Sequence, residues 1–112
     1  DGNDSLSGNG GNDQLDGGDG NDTLNGGSGD DEMFGFAGSD QFVFEGTNLG
    51  DDSINIFERG SDSLIIHGQT ASDVSISIID ASRGVFLVTH AQGTINLFDQ
   101  TGQFSVDDIS FI

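Results

Sequence analysis

The apolar positions fall into two regimes. Over the first third they are sparse and evenly spaced: Leu6, Leu15, Leu24, Met33 and Phe42 recur every nine residues. Asp4, Asp13, Asp22, Asp31 and Asp40 each stand two places before one of them. Gly2, Gly11, Gly20, Gly29 and Gly38 stand two places earlier again. The unit is clearest in GGDGNDTLN (Gly17 to Asn25) and GGSGDDEMF (Gly26 to Phe34). Its glycine-rich opening reads as a tight turn, and its last three residues allow only a very short strand. One apolar residue per strand, always on the same face, lets successive units stack around a thin core.

From Phe42 onward alternation replaces the nonapeptide. Ile54 and Ile56 alternate; Leu64, Ile65 and Ile66 form a short apolar run; Val74, Ile76 and Ile78 alternate with serines. Val85 to Val88 is continuous, Ile95 and Leu97 alternate with Thr94 and Asn96, and Ile109 to Ile112 closes the chain. This predicts five to seven short strands joined by turns, with hairpin connections at 80–84 and 90–93. No helical period is present. Three stretches follow: the repeats at 1–43, degenerate repeats at 44–64 (GDDSI from Gly50, GSDSL from Gly60), and a β cap at 65–112 of mixed or antiparallel strands. Phe34, Phe36, Phe42, Phe44 and Phe57 cluster where repeats give way to cap and read as core rather than as a ligand platform.

Composition sharpens the problem of the first third. Leu, Ile, Val and Phe total 31, but only three of them lie in residues 1–33. So little apolar surface cannot offset the entropy of ordering that segment. A disordered linker, however, has no reason to keep three columns in phase. Charge supplies the missing element: 20 Asp and Glu against 2 Lys and Arg give a net charge of −18. Stacked carboxylates repel one another, and a hard divalent cation turns that repulsion into attraction. Ca²⁺ takes roughly six to eight oxygens, carboxylate and carbonyl alike, in flexible geometry; Mg²⁺ demands a stricter octahedron. An EF-hand is excluded, since no segment has its Asp-x-(Asp/Asn)-x-(Asp/Asn)-Gly spacing with a Glu at the twelfth place.

The nonapeptide G-G-x-G-x-D-x-U-x resembles the calcium-binding repeat of RTX, haemolysin-type proteins. The resemblance covers about the first 64 residues. It implies an all-β fold: a parallel β-roll, a solenoid stapled by calcium, followed by a C-terminal β-strand cap. It also implies the ligands. Gly2 and Asp4 would face Gly17, Asp19 and Asp22. Asn9, Gly11 and Asp13 would face Gly26, Ser28 and Asp31. Gly18, Gly20 and Asp22 would face Gly35, Ala37 and Asp40. Gly27, Gly29 and Asp31 would face Asp52, and Gly38 and Asp40 would face Asp62, across stretched coils. The motif aspartates supply carboxylates and the others mainly carbonyls, for about three to five Ca²⁺. For Asp16, Asp19, Asp30, Glu32 and Asp51 a solvated turn residue is at least as good a reading as a carboxylate ligand.

Other functions are disfavoured. A phosphate backbone or an anionic membrane needs Lys and Arg that the chain lacks. There is no Cys for disulfides, no nucleophile elbow and no His-Glu-x-x-His. His67 and His90 stand in unlike contexts, and His67 reads as a surface residue. Catalysis is therefore not expected here. The chain opens in mid-repeat, which suggests a piece whose active part lies upstream. The resemblance implies calcium-induced folding outside a bacterial cell, type I secretion and support of an upstream effector domain. FSVDDISFI (Phe104 to Ile112) is similar to the tails read by that secretion machinery. The alternative is a calcium-dependent module binding polysaccharide or a surface, as an adhesin or a repeat module of an alginate-modifying enzyme would.

Overall fold

The structure is a computed structural model that describes residues 2–46, 48–58, 61–80, 83–99 and 108–111. The described strands are β1 (Ser5–Ser7), β2 (Gln14–Asp19), β3 (Thr23–Asn25), β4 (Glu32–Ala37), β5 (Gln41–Phe44), β6 (Gly50–Phe57), β7 (Ser63–Ile66), β8 (Ser75–Asp80), β9 (Val85–His90), β10 (Gly93–Asp99) and β11 (Ile109–Phe111). A short 3₁₀ turn, Ala71–Asp73, precedes β8.

Successive nonapeptides go to opposite sheets, so two units make one coil. One sheet has the order β1-β3-β5-β7-β11 and the other β2-β4-β6-β10-β9-β8. The first is parallel throughout its register. In it Leu6 lies opposite Leu24, Leu24 opposite Phe42, Phe42 opposite Leu64 and Leu64 opposite Ile109. In the second sheet Leu15, Met33, Ile54 and Leu97 align in the same way across β2, β4, β6 and β10. The one apolar residue per unit thus becomes an inward column in each sheet, and the two columns meet as the core. Their neighbours Thr23, Gln41, Gln14 and Glu32 point outward, as strand alternation requires. The architecture is an all-β parallel roll.

The coil does not stop where the nonapeptide fades. β6 and β7 pair parallel with β4 and β5, and β10 and β11 pair parallel with β6 and β7. The antiparallel part of the C-terminal half is β8-β9-β10, whose β9-β10 turn lies at Ala91 and Gln92. The expected connection at 80–84 falls partly outside the described residues, as does most of Phe104 to Ile112. One apolar cluster runs from Leu15 through Phe86 and Val88 to Ile109.

The phenylalanine cluster divides. Phe42, Phe44 and Phe57 are core. Phe34 is half-buried and Phe36 is 42% exposed, contrary to the reading of all five as core. Strand alternation is the reason: Met33 and Gly35 take the inward places, so 34 and 36 face out.

Candidate metal centre

The motif aspartates form two columns. Asp22 Oδ1 accepts the Asp4 backbone N–H at 2.8 Å, Asp40 Oδ1 that of Asp22 at 2.9 Å, and Asp62 Oδ1 that of Asp40 at 2.9 Å. On the other side Asp31 Oδ1 accepts the Asp13 N–H at 2.9 Å and Asp52 Oδ1 that of Asp31 at 2.8 Å. The columns therefore continue unbroken across the longer intervals to Asp52 and Asp62. Asp22, Asp31, Asp40, Asp52 and Asp62 are all buried.

Each hydrogen bond uses one carboxylate oxygen. The other, Oδ2, is buried with no hydrogen-bond partner in Asp13, Asp22, Asp31 and Asp40. Beside it lies the first glycine of the same unit. A Cβ on Gly8 would stand 2.6 Å from both Asp13 Oδ2 and the Gly26 carbonyl oxygen; one on Gly17 would stand 2.6 Å from Asp22 Oδ2 and 3.0 Å from the Gly35 carbonyl oxygen. Gly26 and Gly35 have the same relation to Asp31 and Asp40. These four glycines do not have positive φ, so they are required for space rather than for turn conformation. Positive φ belongs to the second and fourth places of the turn, and at the second Asn9 (72°) and Phe36 (69°) replace glycine.

At Gly8 and Gly17 a carboxylate oxygen and a carbonyl oxygen thus converge on a space that only glycine leaves open. Burial disfavours the ionised form: it raises the pKa of Asp31, Asp40 and Asp62 and pushes Asp52 up to about 7, with the aspartate one coil away adding repulsion. Such groups need a proton or a cation. The donors are all oxygen, which suits a hard ion rather than zinc or copper. Among the described residues no three His, Cys, Asp or Glu side chains converge; the oxygens gathered here are those of paired carboxylates and backbone carbonyls.

The other expected ligand positions line the same turns. The Asn9 carbonyl accepts the Ser28 N–H at 2.8 Å, and those of Asp19, Ser28 and Ala37 accept the N–H groups of Gly2, Gly11 and Gly20. These bonds join the coils and leave each carbonyl its second lone pair. The Asp19 side chain is exposed. Asp30, in a turn, and Asp51, near the start of β6, are exposed, and their carboxylates tie one coil to the next. Asp30 Oδ1 accepts the Asp51 N–H at 2.9 Å, and Asp51 Oδ1 accepts the Thr94 hydroxyl at 2.8 Å. Asn3, Asn12 and Asn21 accept backbone N–H groups of the next coil in the same manner.

Two parts of the site escape the nonapeptide pattern. Asn48 and Gly50, at φ 54° and 85°, repeat the turn that leads to Asp52. Gly93 lies opposite Gly50 and Ile95 opposite Asp52. Ile95 thus ends one carboxylate column, and the only signal was the glycine two places before it. His90 is buried, its Nδ1 accepts the Gln92 N–H at 3.2 Å, its Nε2 has no partner, and burial lowers its pKa. His67 lies at the surface, 3.8 Å from Glu45.

The spatial role of the first glycine can be tested. A Cβ on Gly26 would crowd the Asp31 carboxylate, its Cβ and Cγ both at 2.8 Å. Gly26→Ala is expected to cost about 2 kcal/mol of stability in calcium and to weaken calcium binding. Gly10→Ala, where the new Cβ would meet only Ser28 Oγ at 3.4 Å, is expected to change either little. Thermal unfolding with excess calcium compares the two.

Stacked glycine turns, paired buried carboxylates and a two-sheet coil define a cation-binding repeat roll. A family model described as the RTX calcium-binding nonapeptide repeat (4 copies) matches residues 1–24 and 16–54, so residues 1–54 carry RTX calcium-binding nonapeptide repeats. Among solved structures the chain is similar to the AlgE6R3 subunit of the Azotobacter vinelandii mannuronan C5-epimerase, with 26% identity and a TM-score of 0.58, over 97% of this chain and 78% of that one. It is also similar in fold to the extracellular lipase LipA from Serratia marcescens, with 23% identity and a TM-score of 0.56 over its whole length. It spans 20% of that lipase chain. No curated protein sequence matches it. No described helix is long and apolar enough to cross a membrane.

Proposed function

We propose that this chain is a non-catalytic module that folds when it binds calcium outside the cell and thereby supports the type I secretion and stability of an upstream effector domain. The partnerless buried Oδ2 atoms of Asp13, Asp22, Asp31 and Asp40 carry this reading. Each would complete a calcium site between coils: Asp13 with Asp31, Asp22 with Asp40, Asp31 with Asp52, and Asp40 with Asp62. Asp4 with Asp22 forms a more exposed fifth. The remaining oxygens would come from turn carbonyls, those of Gly26 and Gly35 foremost.

Calcium supplies charge neutralisation and fixed oxygen coordination. The chain supplies the geometry. At low calcium the stacked carboxylates repel and the repeats stay expanded and threadable. At about millimolar calcium, sites with Kd near 10⁻⁴–10⁻³ M fill. Each adds roughly 1.4 kcal/mol at tenfold excess, so four add on the order of 5–6 kcal/mol, comparable to the whole stability of a small domain. Because Asp22, Asp31 and Asp40 each serve two sites, filling is cooperative.

The alternative is a polysaccharide-binding module, and the similarity to a subunit of a mannuronan epimerase is its support. The strongly acidic surface weighs against an anionic sugar. Equilibrium dialysis against calcium checks the first reading: about four ions per chain are expected at millimolar calcium. One ion or none would refute it.

A further inference from the structure

Phe36 is out of place in two independent ways. It occupies the second place of its turn at φ 69°, where the corresponding residues elsewhere are Asn9, Gly18, Gly27 and Asn48. A bulky residue with positive φ strains the backbone. Nor does the side chain repay that strain in the core, since it is 42% exposed. Its ring stacks on Phe34, centroids 5.7 Å apart and planes 17° apart, on the outer face of β4. Glycine would serve the turn better, so the strain is retained for something outside the roll.

The neighbours define the occupant. Gly18 lies opposite Phe36 on β2 and contributes no side chain, leaving a notch beside the ring. Asp16 lies opposite Phe34, and Glu32 shares the outward face of β4; both are exposed. Among the described residues Asp16 Oδ1 receives only a long hydrogen bond from Gln14, at 3.4 Å. An aromatic face with carboxylates at its rim, on a chain of net charge −18, is complementary to a cation and repels an anion. A planar guanidinium can lie on the ring and fork to a carboxylate at once; an ammonium is more strongly hydrated and cannot.

We propose that the outer face around Phe34 and Phe36 docks an arginine of a basic partner segment, stacked on Phe36 and paired with Asp16. Calorimetry on the calcium-saturated chain tests this with an arginine-rich hexapeptide and its citrulline counterpart, which keeps the shape and loses the charge. The arginine peptide is expected to bind and the citrulline peptide not. Phe36→Gly and Phe36→Asn are expected to weaken arginine-peptide binding about three- to fivefold while leaving its salt dependence and not lowering the melting temperature. Asp16→Asn is expected to weaken binding and to flatten the salt dependence. Native-like affinity in both Phe36 variants would overturn the proposal, since bulk charge alone would then explain binding. So would binding of the citrulline peptide or of a neutral oligosaccharide that Phe36→Gly abolishes, since the face would then serve uncharged ligands.

Discussion

Asp31→Asn is expected to destabilise the chain in calcium and to stabilise it in chelator. The Asn retains an oxygen for the Asp13 N–H, which Asp31 Oδ1 accepts at 2.9 Å, and loses the charge. Asp31 is shared between the proposed sites with Asp13 and Asp52, so both lose a carboxylate. With each site worth roughly 1.4 kcal/mol at tenfold excess, about 3 kcal/mol of calcium-dependent stability should go. Cooperativity should fall as well, because one column is interrupted. In chelator the sign reverses. Burial holds the Asp31 pKa up and the neighbouring Asp13 charge adds to it, so the neutral side chain removes a cost. Thermal unfolding of wild type and variant with excess calcium and with EDTA gives both numbers. Equal destabilisation in the two conditions would reduce Asp31 to a structural hydrogen bond.

Protons should substitute in part for calcium. Asp31, Asp40, Asp52 and Asp62 all have folded-state pKa values above the ordinary 3.8, first because of burial and then because of the aspartate one coil away. A group with a raised folded pKa gives stability that is complete below the unfolded value and lost as pH rises through the folded one. For Asp52 that loss centres on about 7. The metal-free chain should therefore become more ordered as pH falls from 8 to 6.5. Calcium binding should move the opposite way, its midpoint rising about tenfold from pH 7.5 to 5.5 as protons compete for the same oxygens. His90 opposes the first trend in acid. Burial lowers its pKa below 6.5, so its contribution is present above that value and lost as pH falls past it. The window from 8 to 6.5 isolates the carboxylates. Circular dichroism in EDTA across that range, with calcium titrations at three pH values, measures both effects. A metal-free chain that loses order on acidification through this window would contradict the account.

What the sequence made legible was what repeats. Asp13, Asp22, Asp31 and Asp40 keep their phase with Leu15, Leu24, Met33 and Phe42, and that phase dictates strand, turn and inward column together. Asp52 and Asp62 were harder, because the intervals before them are longer. Backbone pairing restores their register: the Ser53 and Ser63 N–H groups donate to the Asp31 and Asp40 carbonyls at 2.8 Å. An insertion between strands that keep their register leaves the coil intact, and spacing alone does not reveal which kind it is. The Gly93–Asp99 coil was hidden for a different reason. Ile95 stands at the aspartate's place, so the most visible letter of the motif is missing while the backbone path persists. Phe34 and Phe36 show the opposite failure. Phenylalanine near a junction suggests core, but the alternation fixed by Met33 and Gly35 turns both outward. The Asn3, Asn12 and Asn21 ladder had no hydrophobic signature, since each caps an N–H of a coil that is a neighbour only once the roll exists.

The most direct measurement is far-UV circular dichroism of the chain during a calcium titration, with magnesium as control and chelator added at the end. Cation-stapled stacking predicts a cooperative rise of β structure with calcium, none with magnesium, and reversal by the chelator. A spectrum that is β-rich in chelator at neutral pH and unchanged by calcium would contradict it, because the paired carboxylates would then be held by packing alone.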